Sequence, residues 1–233
     1  MSERTGARRR AVGVEVLADG VQARVWAPNA DAVTVVYTDD AGSHQEAALA
    51  AEHRGYYSGY LPGAKAGTRY HLRLDDGDLL ADPASRSQPE GVHGPSAVVD
   101  PCDFAWQVDD WHVPLLRDAV IYELHIGSFT PEGTFEAVIP HLPYLRDLGV
   151  TSIELMPIAQ FPGARNWGYD GVFPYAAQHS YGGPNGLRRL VDASHAAGLT
   201  VILDVVYNHF GPEGSVFHRF GPYQTSHYRT PWG

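Results

Sequence analysis

Cysteine is nearly missing from this sequence. Cys102 is the single one among 233 residues, so no disulfide can form within the chain, and a reducing compartment suits it. Positive charge is also scarce. Seventeen Lys and Arg stand against 27 Asp and Glu, a formal charge of -10. Nucleic-acid binding relies on clustered cations, so no nucleic-acid partner is expected. No apolar run approaches the length of a membrane-spanning helix, so no membrane partner is expected either. Arg8-Arg9-Arg10 could open a signal peptide, but Glu15 and Asp19 interrupt the apolar region that should follow. A frayed, solvated N-terminal arm is the expectation, and a cytoplasmic location follows from these absences together.

What is present is an ordinary globular composition, 44% hydrophobic and 19% charged. The length suits one large or two modest domains. Five Trp and thirteen Tyr could stack on sugars or fill a core.

From Val12 to about Val99 short alternating runs are broken by Gly, Pro and Asp. Val12–Val16, Gln22–Trp26, Val33–Tyr37, Tyr56–Leu61 and Thr68–Leu74 read as strands of a β-sandwich. Thr38–Gly42 and Asp75–Asp78 read as turns. No cluster of acids or histidines lies here, so no catalysis is assigned to it. Ala81 to Pro101 reads as irregular connection. The division expected is 1–100 for the sandwich, 101–117 for a linker and 118–233 for a second domain.

The second domain alternates strand and helix. Ala119–Ile126 reads as a strand and Gly127–Gly133 as its exit loop. Phe135–Leu148 has helical spacing, with Thr134 as N-cap, Pro140 and Pro143 as disturbances and Gly149 as terminator. Thr151–Pro157 is the next strand, Gly186–Ala197 the next helix. Thr200 to Phe210 then opens as a continuous apolar run, the pattern of a strand buried on both faces, and closes on Asp204, Asn208 and His209. Ligands of parallel α/β sheets sit at the carboxyl ends of strands. The same side chains could instead cap the strand and bond neighbouring loops. Three βα units suit an open doubly wound sheet or a (β/α)8 barrel. No glycine-rich phosphate loop follows the first strand, which disfavours a nucleotide enzyme. Between the second strand and the second helix lies Asn166-Trp167-Gly168-Tyr169-Asp170-Gly171-Val172. Its rings and carboxylate could pack on a sugar face and accept from a hydroxyl, or fold down as the loop's own small core.

Asp204-Val205-Val206-Tyr207-Asn208-His209 resembles the first signature motif of the α-amylase superfamily of glycoside hydrolases, at the end of the third barrel strand. Trp167-Gly168-Tyr169-Asp170 and Tyr181-Gly182 resemble the loop before it. Arg24-Val25-Trp26-Ala27-Pro28-Asn29-Ala30 resembles the opening of the immunoglobulin-like module that precedes the barrel in many members. Tyr122 to Gly133, Ile153 to Gly163, Asn208 to Gly214, Phe220 to Tyr223 and Tyr228 to Gly233 resemble the members that release trehalose from malto-oligosyl trehalose.

The resemblance implies an immunoglobulin-like β-sandwich followed by the first three βα units of a (β/α)8 TIM barrel. It implies retaining hydrolysis of the α-1,4 bond next to the terminal trehalose unit, as in trehalose biosynthesis from α-glucan. The implied partner is an α-glucan or malto-oligosyl trehalose. By resemblance Tyr169 stacks on the sugar, His209 hydrogen-bonds it, Asp170 contacts a hydroxyl or a basic residue, Asp204 orients an arginine beside the nucleophile and Asn208 is structural. The nucleophile and both further acids are implied at later strands, beyond Gly233. The 233 residues alone are therefore expected to be a fragment without hydrolase activity. No cofactor and no metal are expected, since the six to eight oxygen ligands of calcium cannot be assembled here. The alternatives are a glycogen branching or debranching-type relative, and a non-catalytic α-glucan-binding fragment.

Overall fold

The computed structural model describes residues 6–39, 41–108, 110–225 and 227–228. Asp40 of the expected turn, and Arg229 to Gly233 of the resembling tail, lie outside the described residues.

The first hundred residues form two antiparallel sheets. Strands β1 (Gly13–Leu17), β2 (Gly20–Trp26), β3 (Val33–Thr38), β4 (His44–Ala48), β5 (Ala50–Ala51), β6 (Tyr56–Tyr60), β7 (Arg69–Leu74), β8 (Leu79–Leu80) and β9 (Ser96–Ala97) follow in chain order. They pair as β1-β2-β6-β5 and β4-β3-β7-β8, with β9 also on β7. The two-residue period does the work. Val21, Ala23 and Val25 of β2 face Val33, Val35 and Tyr37 of β3 across one core, while Gln22 and Arg24 point outward. The buried tyrosines keep their hydroxyls partnered. Tyr57 donates to the Ala30 carbonyl (2.5 Å), Tyr37 to that of Pro62 (2.8 Å), and Tyr70 to the Asp82 carboxylate (2.7 Å). Burial pushes both Tyr70 and Asp82 upward in pKa.

The N-terminal arm departs from expectation. From Arg8 onward it is fastened rather than frayed. Arg8 donates to the carbonyls of Gly13 and Gln22, and the buried Glu15 carboxylate accepts from the backbone N–H of Arg9 and Arg10. A buried carboxylate needs such donors. The 81–101 connection is largely irregular, as expected, and its polar side chains turn inward. Asp82, Ser85, Gln88 and Ser96 are buried and bond one another: Ser96 donates to Gln88 Oε1 and accepts from the Asp82 N–H.

The second half is built on a parallel sheet ordered β10-β11-β14, made of β10 (Ile121–Leu124), β11 (Ser152–Leu155) and β14 (Thr200–Leu203). Between β10 and β11 come α1 (Ile126–Phe129), α2 (Phe135–Val138) and α3 (Leu142–Asp147). The expected exit loop thus begins with a helical turn. The expected single helix is broken by a 3-10 turn at Ile139–His141, where Pro140 and Pro143 withhold N–H groups. Thr134 caps α2, accepting from the Ala137 N–H at 3.2 Å. Between β11 and β14 come the hairpin β12 (Ala159–Gln160) and β13 (Phe173–Ala177), then α4 (Gly183–Ala196). A last short helix, α5, spans Phe217–Phe220. Ile153, Leu155, Phe135, Leu145, Leu190 and Leu199 share the core between sheet and helices. Gly186 of α4 lies so close to Phe135 that a Cβ there would be 3.2 Å from the ring. The linker runs along α4, where buried Asp192 accepts from the N–H of Gln107 and Val108.

One expectation fails in detail. The strand read as buried on both faces, β14, is half-buried, with Leu203 47% exposed. It is an edge of the three-stranded sheet, so its outer face has no neighbour among the described residues.

Candidate functional site

Parallel strands bring three carboxyl ends to one side. His125 follows β10, Met156 and Pro157 follow β11, and Asp204 follows β14. The excursion after β11 is anchored by two fully buried amides. Gln178 accepts from the Phe161 N–H (3.0 Å) and donates to the Gly163 carbonyl (2.8 Å). Gln160 donates to the Phe161 carbonyl and accepts from the His179 N–H. At the crown, Asn166 Oδ1 accepts from the N–H of Gly168 (2.8 Å) and Asp170 (3.4 Å), and its amide nitrogen donates to Asp170 Oδ2 (2.7 Å). This is the local turn chemistry at which asparagine excels. Gly168 has φ +98° and presses on the Pro157 carbonyl, a conformation and a closeness that glycine tolerates.

Two imidazoles fasten this crown. His125 Nε2 is 2.8 Å from the Asn166 carbonyl, and its Nδ1 is 3.1 Å from Ser128 Oγ. A carbonyl can only accept, so Nε2 carries a proton and donates to it. The Tyr181 hydroxyl lies 3.2 Å from the same Nε2, and burial pushes that phenol up to about 12. His209 Nε2 donates to the Tyr169 carbonyl at 2.8 Å, with Nδ1 3.0 Å from the Asn208 carboxamide. The Gly211 N–H donates to the Gly171 carbonyl at 2.9 Å. The post-β14 segment and the 166–171 loop are thereby stitched together.

The alternative in which Trp167 and Tyr169 fold down as a small core does not hold. Trp167 is 66% exposed and Tyr169 47%. Trp167 rests edge-on against His125, centroids 5.2 Å apart, with its outer face free. The loop is held by Asn166, His125 and Gly168 instead. The structure brings Tyr169, Asp170, Asn208 and His209 together on one rim. Asp204 is half-buried and lines a cavity of about 100 Å³ together with Gly168, Gly171 and Tyr207. The ring nitrogens of His209 face the Tyr169 carbonyl and Asn208, so the ring also holds the loop. Asp170 likewise has one oxygen engaged by Asn166. Sequence reasoning placed Asn166 and Tyr181 in the stretches it singled out but gave no role to them or to His125. A histidine ending the first parallel strand and an asparagine opening the aromatic stretch were the signals available.

This rim of outward rings and a carboxylate, on the carboxyl side of a parallel sheet behind a β-sandwich, defines a class. Residues 81–231 match the alpha-amylase catalytic domain, and residues 11–100 match carbohydrate-binding module 48, the isoamylase N-terminal domain. The chain belongs to the alpha-amylase family. Within it, the chain is 52% identical over 222 residues to the malto-oligosyltrehalose trehalohydrolase of Saccharolobus solfataricus, covering 95% of this chain and 38% of that protein. It is 46% identical over 215 residues to the enzyme of the same name from Deinococcus radiodurans, covering 92% of this chain and 35% of that one. The chain thus spans under two-fifths of the length of these relatives. Among solved structures it is similar to a Salmonella typhimurium protein described as an alpha amylase (TM-score 0.90, 44% identity, 97% of this chain and 38% of that one). It is also similar to a pullulanase of Anoxybacillus complexed with maltotetraose (TM-score 0.76, 26% identity, 92% and 38%). The fold is therefore an immunoglobulin-like sandwich followed by the opening part of an α-amylase barrel.

Proposed function

We propose that these residues form the glucan-facing rim of an enzyme that hydrolyses the α-1,4 bond next to the terminal trehalose of malto-oligosyl trehalose, releasing trehalose. The observation that carries the reading is the outward presentation of Trp167 and Tyr169 beside Asp170. Flat rings beside a carboxylate suit the C–H face and hydroxyls of a pyranose. The identity to two trehalohydrolases supports the choice of substrate. In this proposal Tyr169 stacks on a sugar and Asp170 accepts from a hydroxyl. His209 orients Tyr169 through its carbonyl and meets the sugar only by exchanging that bond. Asp204 and Asn208 support from beneath and beside. Retaining hydrolysis uses two carboxyls about 5 Å apart. We assign these to the larger part of such enzymes that this chain does not match. The proposed division is 1–100 sandwich, 101–117 linker and 118–233 barrel, supported by the linker's bonds to Asp192 on α4. A cytoplasmic location belongs to the same proposal, supported by the single cysteine.

Chromatography of maltotriosyl trehalose digests tests it. A longer protein carrying these residues should release trehalose, and the 233 residues alone should release none. Release of only shorter malto-oligosaccharides, or formation of branch points, would assign it elsewhere in the family. Turnover by the 233 residues would overturn the placement of the acids.

A further inference from the structure

The chain beyond His209 leaves the parallel sheet and enters the sandwich. Phe210 stacks on Phe217 with centroids 4.0 Å apart and planes 13° apart. Phe217 meets Tyr223 edge-on at 5.0 Å, and Tyr223 meets Trp26 of β2 edge-on at 5.0 Å. Phe220, fully buried, belongs to the sandwich core with Val25, Val33 and Leu72. Gly221 packs so tightly that a Cβ would lie 3.0 Å from Pro28 and 3.1 Å from Trp26. Arg219 reaches Asp78 at 3.9 Å, and Glu213 reaches His93 at 3.2 Å. The other end of this segment is the pair of bonds from His209 and Gly211 to the backbone of Tyr169 and Gly171.

We propose that residues 210–223 are a strap through which the sandwich positions the rim loop, with Phe220 and Tyr223 as positioning residues for Tyr169. The proposal rests on the reading of that loop as glucan-facing. The physical argument is that a close-packed core does not yield continuously to displacement. A strap whose one end is a core residue and whose other end is bonded to the loop fixes the loop's distance from the sandwich. Without the Phe220 ring the strap gains slack, and the His209 and Gly211 bonds hold the loop to a moving support. The sandwich then acts at the rim without touching sugar.

The test is amide hydrogen exchange on the 233-residue chain, read at Gly168 and Gly211, with a maltotetraose titration read at the Trp167 indole N–H. Phe220→Ala and Tyr223→Ala are compared with Val35→Ala, which removes volume from the same sandwich core at β3 but takes nothing from the strap itself. All are measured at a fixed interval below their own Tm. Phe220→Ala and Tyr223→Ala should speed exchange and weaken maltotetraose binding by about 2- to 30-fold, the usual range for coupling through packed residues. Val35→Ala should leave both unchanged, and Phe220→Leu should restore most of the loss. Tyr223→Ala carries the test should Phe220→Ala fail to fold. Equal effects of Val35→Ala and the strap variants would reduce the strap to general stability and overturn the proposal. If the unsubstituted chain binds no maltotetraose, the glucan reading falls, while the exchange comparison still decides whether the strap positions the loop.

Discussion

Three glycines separate two kinds of constraint on the rim loop. Gly149 has φ +97° with nothing within 4 Å of a built Cβ. Gly168 has nearly the same φ, +98°, but its Cβ would run into the Pro157 carbonyl. Gly211 lacks the positive φ, yet its Cβ would run into the Asp170 carbonyl. An L-residue in the left-handed region costs about 1–2 kcal/mol, partly offset by the lower entropy of the unfolded alanine chain, about 0.4–1 kcal/mol. Gly149→Ala should therefore lose about 1 kcal/mol. Overpacking against backbone adds about 1–3 kcal/mol, because no side-chain rotation relieves it. Gly168→Ala should lose about 2–4 kcal/mol and Gly211→Ala, with the same entropy offset, about 0.3–2.3 kcal/mol. For a chain of this size each kcal/mol moves Tm by about 2–4 °C. Calorimetry should show Gly149→Ala down by about 2–4 °C and Gly168→Ala by about 4–16 °C. Maltotetraose titrated against the Trp167 indole signal should weaken for Gly168→Ala and Gly211→Ala and stay unchanged for Gly149→Ala. A Gly168 variant no less stable than the Gly149 variant would refute the claim that the loop is seated on Pro157. An unaltered affinity in the Gly168 variant would refute the claim that this seating serves the rim.

Three further outcomes follow from single contacts. Thr134→Ala removes the acceptor for the Ala137 N–H and should lower stability by about 1 kcal/mol, with Thr134→Ser close to the parent in a urea titration. The Arg24 guanidinium holds the Glu52 carboxyl down at about 2, against 4.5 ordinarily. Its contribution is full above the ordinary value and disappears as pH falls through about 2, so a carboxyl carbon NMR titration should find that midpoint, and Arg24→Gln should return it toward the ordinary range. Burial raises the Tyr181 phenol from 10.0 to about 12. The unfolded chain therefore ionises first, and stability present below pH 10 should drain away between 10 and 12. Absorbance at 295 nm should show several late-ionising tyrosines, Tyr70 among them, and Tyr181→Phe should remove one tyrosine's worth of that late amplitude; an undiminished late amplitude would assign the shift to another ring.

Much of the architecture was legible because it is periodic. The two-residue alternation of β2 and β3 marks the sandwich, and the apolar spacing of Phe135 to Leu148 marks a helical stretch whose prolines break it where they stand. The short strands β5, β8 and β9 carry too few residues to show a period, and β4, His44–Ala48, alternates without large apolar side chains. The Arg8 anchor was hidden because two of its partners are the backbone carbonyls of Gly13 and Gln22, which no side-chain pattern announces. At the rim, aromatic and acidic residues in one short stretch pointed to Tyr169 and Asp170. The hydrogen-bond frame beneath them did not show, since Gln160, Gln178 and Asn166 act through backbone groups fixed only once the excursion has folded. His209 was legible as a polar tip and illegible as a fastener, because its partner is a carbonyl 40 residues away.

The mismatch at β14 bears on the proposed function. Natural edge strands are blunted by lysine, proline or charge. Thr200-Val201-Ile202-Leu203 has none of these, and Leu203 and Val205 are 47% and 44% exposed. At the opposite edge Val120, Ile121 and Tyr122 are exposed as well. The β14 margin therefore carries the residues of an interior strand, and the β10 margin does so apart from Glu123. Leaving such surface open is unfavourable at about 25 cal/mol per Å² of apolar area, so the composition of these strands makes sense only where further strands flank them. The same flanking strands are where the proposed catalytic carboxyls would stand, at the carboxyl ends that complete the ring begun by His125, Pro157 and Asp204. The apolar edges and the half-furnished rim thus support the same proposal, in which further barrel strands flank the sheet and carry the acids to a sugar stacked on Tyr169.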